Sequence, residues 1–153
     1  MKFWTRDRGE RDLRAFGERF AWRMVVMFAG MALYLTFGAV VGGRPTALLA
    51  TLIALPLSYG FRLRAAADEQ RRGRALEDER DAVIRAHADR AFRIAASCWY
   101  GVLALALVLD LDVGRAAVSS NGCVIPGLLL LGLIVANIAG HATVALLYRR
   151  DRT

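Results

Sequence analysis

Residues 124–136 read VIPGLLLLGLIVA, and wound into a helix they leave no polar side chain on any face. A helix on a soluble protein keeps a wet side, so this one is surrounded by lipid or by other apolar helices. The stretch continues to residue 148 without an Asp, Glu, Lys or Arg, 25 residues in all, enough to cross a bilayer with some tilt. Three further stretches follow the same rule: residues 24–41 (18 residues), 46–61 (16) and 91–109 (19, with Arg93 snorkelling to the headgroups). The 16-residue stretch is short for a span and must stand nearly upright or thin the bilayer. Although 23% of the chain is charged, the charges gather in the segments between these stretches. The expected fold is all-α: a four-helix transmembrane bundle with an N-terminal interfacial helix and a helical cytoplasmic loop, in a single membrane domain spanning 1–153.

Arginine orients the bundle. Of 21 basic residues, 19 fall in 1–23, in 62–93 or in 149–153, and only Arg44 and Arg115 fall elsewhere. Cytoplasmic loops carry the Lys/Arg excess, so both termini and the 62–90 loop are expected in the cytoplasm, with 110–123 as the outer loop. That implies a multi-pass protein of a bacterial inner membrane, N-in and C-in. Twelve of the 14 acids share the cytoplasmic side, leaving it with the whole formal charge of +7. A basic face of this kind suits anionic lipid headgroups. Nucleic acid is disfavoured as a partner, because acids interleave with the arginines throughout. The first apolar stretch is longer than the core of a signal peptide and no A-x-A site follows it, so it reads as a retained signal anchor.

Before that stretch Leu13, Phe16, Gly17, Phe20 and Met24 share one helical face and Arg11, Arg14, Glu18 and Arg19 fill the other. This pattern predicts an amphipathic helix lying in the interface before the chain turns into the membrane. Gly42-Gly43-Arg44-Pro45 predicts a tight turn and a hairpin of the first two spans, and Pro56 a kink in the second. Gly73 is a break in the central loop, and a helix is expected from about Glu77. There Asp81, Arg85, Asp89 and Arg93 form an i+4 ladder, while Ile84, Ala88, Ala91 and Ala95 form an apolar stripe. The third span should therefore project into the cytoplasm as one continuous rod.

The 15-residue run DERDAVIRAHADRAF, Asp78 to Phe92, resembles a segment of a family of small bacterial and archaeal membrane proteins of unknown function. That family carries an Asp-Glu-Arg motif, then a spaced Ile and Ala, just before a membrane helix. The resemblance also takes in the four-helix layout. It implies architecture, and no functional residue is carried over from it.

Two constellations stand out as candidate sites. Asp78, Glu79, Arg80, Asp81, Arg85 and Asp89 form a candidate cytoplasmic contact motif; carboxylates at a helix start are more often dipole and ion-pair partners than cation ligands. Asn137 and His141 share a face of the fourth span, and polar groups inside a membrane need partners. Counted from the inner helix ends, His141 lies ~10 Å deep and Cys98 ~9 Å, with Ser97 and Ser58 at similar depth, which predicts a polar packing layer. Gly132, Ala136 and Gly140 form a stripe that admits another helix, in the same chain or a second copy. Cys98 and Cys123 are too far apart to pair with each other, and Cys123 is expected as a free thiol rather than a bridge between subunits.

No G-x-S-x-G, H-E-x-x-H, P-loop or C-x-x-C motif occurs, and no catalytic, cofactor or metal site is expected. The function class that fits is a non-enzymatic membrane protein acting through lipid or protein contacts of its cytoplasmic loop, able to self-associate. The alternative is an oligomeric transporter or channel with Asn137 and His141 near the path. The absence of an acid in the apolar stretches counts against it.

The arginine distribution has a direct readout. A reporter that fluoresces only in the cytoplasm should be bright when fused after Thr153, and a periplasm-dependent phosphatase should be active only near Arg44 or Ser119. Phosphatase activity after Thr153 would overturn the orientation.

Overall fold

The computed structural model describes residues 3–71, 79–109 and 122–150. Four helices account for nearly all of them: α1 Phe3–Leu35, α2 Pro45–Arg71, α3 Glu79–Val108 and α4 Val124–Arg150, with a π-helical turn, Thr36–Val41, at the end of α1. The all-α bundle is as the sequence requires. Three segments are long and apolar enough to cross a membrane, Glu18–Val41, Ala82–Val108 and Val124–Arg150, and Pro45–Phe61 is a shorter apolar helix. Large apolar side chains such as Val26, Phe37, Phe61, Val102 and Val108 are more than 65% exposed. So much apolar surface open on several helices suits hydrocarbon and not water. The chain is a membrane protein.

α4 is the centre of the bundle. α1 and α3 each pack along it and make no close backbone approach to each other, while α2 touches the rest lightly, near the π turn. On α1 the seam is Ala21, Met24, Phe28, Met31 and Leu35, whose alternating steps of three and four keep one face toward α4. On α4 the matching positions include Gly127, Ile134, His141 and Ala145. Lipid is as apolar as leucine, so this seam gains from close packing rather than from escape from water.

The α3–α4 contact is built differently, from one bulky side chain and one missing one. Trp99 lies over Gly132, where an added Cβ would collide with the indole ring. Its Nε1 donates to Leu128 O at 3.0 Å, and Tyr100 Oη donates to Leu129 O at 3.1 Å. Gly140 faces Ala88 and Phe92 two turns further along. The small-residue stripe is thus used within the chain, against α3.

Three local expectations change. The amphipathic segment before the first span is helical, but α1 runs unbroken from Phe3 to Leu35, so no turn separates an interfacial helix from the span. α3 is continuous across Arg93 as expected. Its charged half does not stand free, however: Ile84 is only 5% exposed and Ala88 O lies against Gly140. The π turn was not legible. It closes on Gly42, whose N–H donates to Phe37 O at 3.1 Å, and on Arg44, whose N–H donates to Gly38 O at 2.9 Å. Gly43 then reverses the chain at φ 61°, a conformation that costs other residues energy. The Gly73 break, the Glu77 start and the 110–121 loop lie outside the described residues.

Packing at Trp99 should dominate α3–α4 stability. Gly132→Ala is expected to cost about 1–3 kcal/mol through overpacking, read as an earlier midpoint in a denaturing-detergent titration. A midpoint equal to the parent's would show that the indole moves aside freely.

Candidate functional site

His141 is the one histidine in the apolar part of α4, and its ring is 6% exposed. It stacks on Phe28 of α1, with centroids 5.7 Å apart and planes 17° from parallel. One turn earlier, Asn137 Nδ2 donates to Leu133 O of its own helix at 2.8 Å, which leaves its carbonyl oxygen for another donor. On the α3 side of these two residues is a cleft of about 70 Å³, part enclosed and part open, lined by Ala88, Asp89, Phe92, Asn137, Gly140, His141 and Val144. A water needs ~10–15 Å³ of such space, so the cleft has room for several waters.

The structure divides the polar residues singled out in the sequence. Asn137 and His141 share the cleft, but Ser97 and Cys98 are exposed on α3 and do not line it. Ser58 is buried on α2, where its Oγ donates to Leu55 O at 2.6 Å within the same helix. Those three do not line the cleft that Asn137 and His141 share, whereas Asp89, drawn from the cytoplasmic contact motif, does. The reason is register. Depth counted from the helix ends assumes level ends, whereas the Trp99–Gly132 contact slides α3 along α4 and sets Phe92 against Gly140. The pairing of the bulkiest residue on α3 with a glycine on α4 was the signal in the sequence that would have found it.

Of the contact motif, Asp78 lies outside the described residues, and Glu79, Arg80 and Asp81 form the first turn of α3. Arg85 and Asp89 are exposed. Among the described residues no three His, Cys, Asp or Glu side chains converge as metal ligands. The cysteines are free; Cys123 is half-buried, and its thiol meets Gly43 O at 3.6 Å, tying the start of α4 to the α1–α2 turn.

Antiparallel packing gathers the arginines. Phe28 meets His141 and Val40 meets Gly127, so α1 and α4 run oppositely, as do α3 and α4. Arg19 and Arg23 of α1, Arg85, Arg90 and Arg93 of α3, and Arg149 and Arg150 of α4 are therefore at one end of the bundle, all exposed. Arg64, in the second half of α2, is exposed on the same side of the hairpin. Comparison with models of known families, with curated proteins and with solved structures finds no match.

The geometry separates two roles. Phe28→Ala, which empties a fully buried seam position, should cost about 3 kcal/mol, measured by the same detergent titration. Asn137→Leu should stay within about 1 kcal/mol of the parent, since the amide bonds only its own helix. A loss at Asn137 as large as that at Phe28 would mean that it holds two helices together.

Proposed function

We propose that the protein is a non-enzymatic, four-span protein of a bacterial inner membrane, with both termini in the cytoplasm. It acts through contacts of its arginine-bearing end with anionic lipid headgroups and with a cytoplasmic protein. The observation that carries this reading is the set of exposed arginines contributed by all four helices beside the ends of the apolar spans. Each guanidinium near an anionic surface contributes about 1 kcal/mol, and guanidinium pairs with phosphate in two-pronged geometry. Pro45–Phe61, at 17 residues, is ~26 Å long and makes the fourth crossing standing nearly upright. Acidic side chains among the arginines give the same end a mixed pattern suited to a protein partner as well as to lipid.

Spin-labelled lipids test the contact. In reconstituted membranes an anionic phosphatidylglycerol label should associate with the protein about threefold or more over a phosphatidylcholine label. Replacing Arg19, Arg23, Arg90 and Arg93 with Gln should bring the ratio near one, and salt should weaken it. An unchanged ratio in the four-fold variant would sink the reading. The second reading, an oligomeric transporter or channel, is favoured by the cleft that brings Asp89 to Asn137 and His141. Solute flux into proteoliposomes that disappears with His141→Ala would put it first.

A further inference from the structure

The charges of α3 begin deeper in the bundle than those of its neighbours. Phe92 of α3 meets Gly140, and Phe28 of α1 stacks on His141, so α4 serves as a common ruler for both. At about 1.5 Å per residue, Arg93 lies ~10 Å deeper than Arg23 and ~15 Å deeper than Arg149. Arg23 is the deepest charge on α1, and Arg19 and the half-buried Glu18 lie further out. Apolar length repeats the difference. Residues 94–109 give α3 and its end 16 uncharged positions, ~24 Å of helix. Residues 124–148 give α4 25 of them, ~37 Å, and the hydrocarbon of a bilayer is ~30 Å thick. Tilting the bundle cannot make up a shortfall in length on α3.

Arg90 and Arg93 share the face of α3 opposite Ile84, Ala88 and Trp99, the residues turned toward α4. Both are exposed, and Ile94, Val102 and Leu105, exposed further along the helix, mark its outer surface as lipid-facing. Arg93 Nε donates to the Asp89 backbone carbonyl at 3.3 Å, which leaves its two terminal amino groups for another acceptor. Among the described residues neither guanidinium has an ion pair, and Asp89 lies to the side, at the α3–α4 cleft. Guanidiniums left in hydrocarbon are costly, and local thinning of the bilayer relieves the cost. A cytoplasmic protein does not reach charges recessed below the level at which α1 and α4 leave the membrane. The acceptor at hand is a lipid headgroup.

We propose that Arg90 and Arg93 form a recessed site for the headgroup phosphate of an inner-leaflet phospholipid, held below the surrounding membrane surface. The site rests on the reading of the arginine-bearing end as a lipid contact surface, and it names where on that end the phosphate is gripped. Guanidinium meets phosphate in two-pronged pairs, and an anionic lipid such as phosphatidylglycerol brings the charge that offsets the two cations. The bilayer is dented beside α3, while α4 runs through its full thickness.

Two measurements on the full chain in vesicles test the site. With spin-labelled phosphatidylglycerol, Arg90→Gln/Arg93→Gln should remove about half or more of the excess association over phosphatidylcholine. Arg19→Gln/Arg23→Gln, at the ordinary depth, should remove less. An excess carried by the α1 pair and untouched by the α3 pair would overturn the recessed site and leave the arginine-bearing end as a lipid surface. No loss in either pair, or in the four together, would overturn both. The second measurement reads the dent. Arg90→Leu/Arg93→Leu lengthens the uncharged run of α3 to the 20 residues 90–109, ~30 Å. Across phosphatidylglycerols of increasing chain length, the unfolding midpoint of this variant should peak at chains about two carbons longer than the parent's. A common peak would mean that the bilayer keeps its full thickness beside α3, and the recessed site would fall.

Discussion

The α3 side of this bundle is positioned by the approach of Trp99 to Gly132. The indole fills the place where α4 has no side chain, and its N–H donates to the Leu128 carbonyl one turn away. In hydrocarbon no hydrophobic force holds helices together, so shape and a few hydrogen bonds must do it. This contact offers both at one point, and it fixes how far α3 slides along α4. From that offset follow the contact of Phe92 with Gly140, the burial of Ile84, and the meeting of Asp89 with Asn137 and His141.

The class of fold was legible because it rests on composition along the chain. A run such as 124–136, apolar on all faces, has few other readings, and the helix limits at Pro45 and Val124 follow turn and proline signals. The α1 seam was also within reach, since Met24, Phe28 and Leu35 keep a regular spacing. The meeting of residues across helices was not. Depth counted from helix ends set His141 level with Ser97, Cys98 and Ser58, whereas the structure leaves Cys98 exposed and sets His141 on Phe28. Interhelical register depends on a knob on one helix and a hole on another, and no pattern within either helix encodes it.

The π turn escaped for a related reason. Nothing in TFGAVV forbids an ordinary helix, and Thr36 even bonds back to Ala32 O as helical threonines do. The wider turn is selected by its surroundings: Gly38 set against Ala47, Val40 against Gly127, and the hairpin closing at Gly43. Wide turns of this type concentrate where a helix must change direction or contact, and here the turn meets both α2 and α4.

The central place of α4 has a consequence for how the protein is made. α1, α2 and α3 precede it in the chain, and α3 has no close approach to either of the other two. As the ribosome delivers them, α3 enters the bilayer with only lipid to touch, its Trp99 without a hole and its Ile84 uncovered. The α1–α2 hairpin, with Gly38 against Ala47, can close before α4 arrives, but α3 finds a partner only once α4 has inserted. The bundle therefore closes in two stages, the hairpin first and the α3–α4 contact after it.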